Sequence, residues 1–125
     1  MTLQTSTPVT YVYVTDRERA LTFYGETLGF TKLRSNPHGD YLDMGKSQVH
    51  VMLMADHKPS PHPVLGWIVE DIAAVATALK AKGVALTVYE GFGQDALGVW
   101  TAPEGSPKLG WLADPDGNVL MLTQM

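Results

Sequence analysis

Hydrophobic and polar positions along this 125-residue chain follow two rhythms, and the order of those rhythms occurs twice. "YVYV" (Tyr11–Val14) is a run of β-formers that leads to Asp16, and "GWIV" (Gly66–Val69) leads in the same way to Asp71. After each Asp the apolar period lengthens to that of a helix. Leu21, Tyr24 and Leu28 recur at i, i+3 and i+7, as do Ile72, Val75 and Leu79, so each segment has one apolar face. Thr15 and Glu18 have capping-box spacing. Gly29 and Gly83 stand where a helix wants a left-handed C-cap. The two Asp residues lie 55 positions apart and the two glycines 54. A period that long, present only twice, is a duplicated supersecondary unit and not a solenoid.

Three β-like runs follow each helix. The first set is Phe30–Ser35, Asp40–Met44 and Gln48–Met54; the second is Val84–Tyr89, Lys108–Ala113 and Asn118–Thr123. The chain thus reads as an α+β fold of two tandem βαβββ modules. They span about 7–55 and about 64–125 of a single domain, joined by the proline-rich linker "DHKPSPHP" (Asp56–Pro63). The turn "DPDGN" (Asp114–Asn118) feeds the last run. The stretch Glu90–Pro107 is long and Gly-rich for a connection and carries Trp100, which suits either a lid over a ligand or a spacer.

Composition narrows the chemistry. The absence of Cys removes disulfides, thiolate metal sites and cysteine nucleophiles together. No apolar stretch approaches membrane length and "MTLQTSTP" has no signal core, so a soluble, cytoplasmic protein is expected. Nine scattered Lys and Arg in a chain of net charge −4 form no basic stripe, so neither nucleic acid nor a membrane is expected as partner. There is no Gly-x-Ser-x-Gly elbow, Ser60 and Ser106 adjoin prolines, and "GFGQDALG" lacks the Lys and strand–helix setting of a phosphate loop. Asp40, Asp43, Glu90, Asp95 and Tyr11 remain for acid–base work without a metal, although carboxylates near loops are usually solvated.

The helix phrase "FYGETLGF" (Phe23–Phe30) and the closing "DPDGNVLML", in order around a duplicated βαβββ unit, resemble the vicinal oxygen chelate superfamily of glyoxalases, bleomycin-resistance proteins and extradiol dioxygenases. The match runs from about Val9 to Thr123. The resemblance implies curved mixed sheets around a cleft, with helices outside. Members of this family that are enzymes hold a divalent metal on four side chains, two per module. The family pattern puts the first donor seven residues before each helix Asp, at Val9 and Val64, and the last three residues after the Asn of "DPDGN", at Met121. The remaining position falls within "QVHVMLM", where His50 and Met52 share one face and His50 is the only suitable donor. One histidine among two valines and a thioether is no site for a hard cation. His57 and His62 lie in the linker at no chelating spacing, as exposed side chains.

The resemblance is therefore to the metal-free, bleomycin-resistance-like members, with no cofactor. Strand alternation would turn Tyr11 and Tyr13 toward the cleft with Val9, then Gly66 and Ile68 with Val64, and Val119 and Thr123 with Met121. Val12, Val14, Leu65 and Trp67 would face the helices. Trp111 is a further candidate for the lining and Trp100 for closure over a ligand. The set Tyr11, Tyr13, His50, Met52, Ile68, Trp100, Trp111 and Met121 suits an aromatic or cationic small molecule. The expected role is to sequester an antibiotic or metabolite, as a homodimer. The alternatives are a glyoxalase-type metal-dependent lyase, isomerase or dioxygenase, and a metal-independent enzyme on the same fold.

Overall fold

The computed structural model describes residues 2–125 and divides into two compact units, one ending at Lys58 and the other beginning at Pro59. After a short 3-10 turn at Leu3–Thr5, the first unit contains β1 (Val9–Val14), helix α1 (Arg17–Leu21, continuing as a π-helix over Thr22–Thr27), β2 (Thr31–Asn36), β3 (Gly39–Asp43) and β4 (Gln48–Leu53). The second contains β5 (Pro63–Ile68), α2 (Ile72–Ala81), β6 (Trp100–Thr101), β7 (Lys108–Ala113) and β8 (Val119–Gln124). The duplicated order of strand, helix and three strands is present.

Each unit is a four-stranded mixed sheet. The first has the order β1-β4-β3-β2 and the second β5-β8-β7-β6; β1–β4 and β5–β8 are the parallel pairs. Alternation decides the faces. Val12, Val14, Val49, Val51 and Leu42 are buried on the helix side of the first sheet with Ala20, Phe23 and Tyr24 of the helix. Leu65, Leu112, Leu120 and Leu122 are buried in the second unit, together with Ile72, Ala76 and Leu79 of α2. The opposite face of each sheet is left open by its own unit's helix.

Several local expectations change. The N-cap of α1 is Asp16, whose carboxylate accepts from the Arg19 N–H at 3.1 Å, so Thr15 and Glu18 form no capping box. An aspartate one residue further on supplies the better acceptor for the exposed amides of the first turn. In the π-helix the Leu28 N–H reaches back to the Phe23 carbonyl at 2.9 Å, five residues away. This wider turn buries Phe23 with Tyr24, while Leu21 and Leu28 are only half-buried. Gly29 and Gly83 do have positive φ, and the Phe30 and Val84 N–H groups bond back to the Tyr24 and Leu79 carbonyls, closing both helices.

The expected strand Val84–Tyr89 is irregular, and the fourth strand of the second sheet is Trp100–Thr101 instead. A side chain replaces the ladder in the 84–98 segment. The Gln94 amide donates to the Thr87 and Gly98 carbonyls at 2.9 and 2.7 Å and accepts from the Tyr89 N–H at 2.6 Å, while Thr87 N–H reaches the Trp111 carbonyl at 2.7 Å. Trp100 therefore lies on a strand paired with Leu109, not on a free loop. Pro63 belongs to β5, and the register shift between Pro63 and Leu65 places Val64 in a bulge.

Candidate functional site

The open face of the first sheet carries a row of side chains at one level across all four strands. Register aligns Tyr11 of β1 with His50 of β4, His50 with Tyr41 of β3, and Tyr41 with Arg34 of β2. The His50 ring stacks on Tyr41 with centroids 3.9 Å apart and planes 9° apart, and meets Tyr11 edge-on at 5.8 Å. On the other side of Tyr41 the Arg34 guanidinium lies 4.0 Å from the ring centroid. Tyr13 pairs with Met52 one level along, and its ring is 5.9 Å from His57. His57 is therefore half-buried against a ring, where an exposed linker residue was expected.

His50 is the unusual member. It is 4% exposed, yet neither ring nitrogen has a hydrogen-bond partner among the described residues, and the same holds for the buried Oε1 of Gln48 two residues earlier on the same face. An unpaired buried polar atom costs about 1–3 kcal/mol, so such atoms cluster where a ligand or water is to be received. Burial depresses the His50 pKa below its ordinary value. Asp40 opposes that shift, and the positive charges of Arg34, His38 and Arg17 add to it. A neutral imidazole offers one N–H and one bare nitrogen.

Asp40, an acid–base candidate by sequence, has a structural position. It is 1% exposed on the helix side of β3, and accepts from Arg17 Nε at 3.2 Å, Arg17 Nη2 at 3.0 Å and Ser35 Oγ at 2.5 Å. Burial alone would raise its carboxyl, but the hydrogen bonds from Arg17 and Ser35 and the charges of Arg17 and Lys32 outweigh that and hold it below the ordinary carboxylate value. Asp43 accepts from the Gly45 N–H and Asp95 from the Leu97 and Val99 N–H groups, so both brace turns. Glu90 is exposed.

The second sheet's open face is more apolar. Met121 lies between Gly66 and Trp111 in register, with Thr123 beside Ile68 and Leu109. An open groove of about 350 Å³ runs along Val64, Gly66, Ile68, Met121 and Thr123; Trp67 borders it too, although alternation assigned Trp67 to the helix side. Ile68 is 77% exposed and Met121 half-buried. Trp111 forms near-perpendicular contacts with Tyr89 and Phe92, at 5.5 and 5.8 Å. Tyr11, His50, Tyr13 and Met52 thus share the first sheet's open face. Ile68, Met121, Trp111 and Trp100 share the second's. The sequence reading missed Arg34, Tyr41, Tyr89 and Phe92. Tyr41 could have been found by alternation from Asp40. Arg34 could not, because a register shift between Lys32 and Arg34 resets the face of β2.

A divalent metal on four side chains does not fit these residues. Val9, Val64 and Met121 offer no oxygen or nitrogen, and among the described residues no three His, Cys, Asp or Glu side chains are grouped to hold an ion.

The sequence model described as the Glyoxalase/Bleomycin resistance protein/Dioxygenase superfamily matches residues 7–122. Among solved structures, a glyoxalase family protein from Enterococcus faecalis is 20% identical with a TM-score of 0.76, over 98% of this chain and 99% of that one. A superfamily member from Sphaerobacter thermophilus is 26% identical, TM-score 0.71, over 96% and 97%. One from Alicyclobacillus acidocaldarius is 21% identical, TM-score 0.74, over 99% and 94%. No curated protein matches the chain.

Proposed function

Because the chain belongs to the Glyoxalase/Bleomycin resistance protein/Dioxygenase superfamily, whose members do chemistry or bind ligands on this scaffold, we propose that it is a binding protein for an aromatic small molecule, sequestering an antibiotic or metabolite. The observation that carries the reading is His50: a buried imidazole with two unpaired nitrogens, set among the rings of Tyr11 and Tyr41 on an open sheet face. Rings supply area at low entropic cost, and a few unpaired polar atoms fix orientation. The donor-poor positions Val9, Val64 and Met121 favour binding over metal-assisted turnover. The edge positions of β1 and β5 in their own sheets, with Tyr11 54% and Ile68 77% exposed, support a homodimer.

The test is calorimetric titration of the purified chain with a panel of neutral, anionic and cationic aromatic compounds, alongside mass spectrometry of whatever co-purifies. At least one class should bind, and Tyr11→Ala and Tyr41→Ala should weaken it more than Trp67→Phe. Binding by none of the panel, or equal binding by all variants, overturns the reading. One divalent metal per chain retained through dialysis would replace it with metal-dependent catalysis.

A further inference from the structure

We propose that the row Arg34–Tyr41–His50 makes this site selective for hydroxylated aromatic acids, with the carboxylate meeting Arg34 and the hydroxyl meeting His50. The inference rests on the aromatic-binding reading above and adds the charge and polarity of the ligand.

Its basis is a count of unused hydrogen-bonding capacity on one face. Arg34 is exposed, lies over Tyr41, and forms no ion pair among the described residues. The contrast is with Arg17, whose donors are engaged by Asp40 and by the Gly39 and Pro37 carbonyls. A cation–π contact leaves the edge donors of a guanidinium free, and that fork matches a carboxylate. His50, held neutral, contributes one unused N–H and one bare nitrogen, and Gln48 Oε1 contributes a second bare acceptor. The complement of this set carries one negative charge, an acceptor for the imidazole N–H, and a hydroxyl to donate to the bare nitrogen or to Gln48.

Spacing favours the two ends of an aromatic ring over one bifunctional group. Arg34 and His50 flank Tyr41 on β2 and β4, at 4.0 and 3.9 Å from its ring centroid, so the two points lie no more than about 8 Å apart. A para-substituted ring spans the gap once hydrogen-bond lengths are added at each end. An aromatic cation is the wrong complement, since it would compete with Arg34 for Tyr41. The other charges near the row do not reverse this. Asp40 is paired with Arg17 on the opposite face, Asp43 is exposed and bonded to the Gly45 N–H, and His38 and Lys32 are neutral or positive.

The experiment titrates the full chain by calorimetry with 4-hydroxybenzoate, 4-hydroxybenzamide and 4-hydroxybenzylammonium. Wild type should bind the acid about tenfold tighter than the amide, the usual gain of a charge-assisted over a neutral hydrogen bond. Arg34→Met, a change at an exposed site, should erase that preference by weakening the acid about tenfold more than the amide. His50→Phe, which keeps the stacked ring, should weaken acid and amide alike by about fivefold, the loss of one neutral hydrogen bond. An acid that binds no tighter than the amide, or Arg34→Met reducing both equally, overturns the proposal. Preference for the ammonium compound overturns it too, but leaves the aromatic-binding reading standing. Binding of none of the three, together with failure of the wider panel, removes both.

Discussion

Replacing Asp40 by asparagine should be among the most damaging single changes in the first unit. Asp40 ties the first turn of α1 to the β2–β3 hairpin through two hydrogen bonds from Arg17 and one from Ser35, at 1% exposure. The amide side chain would keep the volume, lose the charge, and turn an NH2 group toward a guanidinium that only donates. Removing one partner of a buried pair costs about 3–5 kcal/mol. Arg17 is 27% exposed and keeps its bonds to the Gly39 and Pro37 carbonyls, so the lower end, about 3 kcal/mol, applies. For a chain of 125 residues, that lowers the thermal midpoint by roughly 10 °C. Far-UV circular dichroism is the right probe, because all three Trp residues (Trp67, Trp100 and Trp111) lie in the second unit. The pH dependence carries a sign. The folded pKa of Asp40 is depressed, so its stabilisation is fully present above the unfolded value near 3.9 and is lost as pH falls through the folded value. Wild type and Asp40→Asn should therefore differ fully at pH 7 and converge under strongly acidic conditions. A difference below about 1 kcal/mol, the scale of an exposed ion pair, or one that persists unchanged into strong acid, would refute the reasoning.

Gly39→Ala should also destabilise, because a Cβ there would overlap the Val51 carbonyl oxygen, backbone that cannot rotate away. A loss of roughly 1–3 kcal/mol in urea melts is expected, and an unchanged midpoint would mean that β3 and β4 part without cost. His50→Phe should flatten part of the pH dependence of stability. The folded pKa of His50 lies below the unfolded value near 6.5, so wild-type stability is full above that value and declines as pH falls through the folded one; equal slopes in melts at pH 7.5 and 5.5 would refute it. Light scattering at tens of micromolar should give twice the 13.6 kDa chain mass, and a monomer would refute the dimer.

Periodicity alone determined a good deal of this protein. Valines alternating with tyrosines in β1, a leading Asp before each helix and a closing Gly after it are local preferences, and they yielded the duplicated module and the buried faces of β1 and β8. The donor count was equally local, since Val9, Val64 and Met121 have no oxygen or nitrogen to offer wherever they lie. Three features needed the tertiary structure, each because a long-range contact overrode a local rule. The 84–98 segment gives up a β ladder for three hydrogen bonds to Gln94, a choice that no window of apolar residues encodes. The register shift in β2 sets which way Arg34 points, and strand pairing is fixed across the sheet and not along the strand. Tyr11, Tyr41 and His50 are far apart in sequence and meet only because β4 lies between β1 and β3; that same placement buries both nitrogens of His50 without a partner.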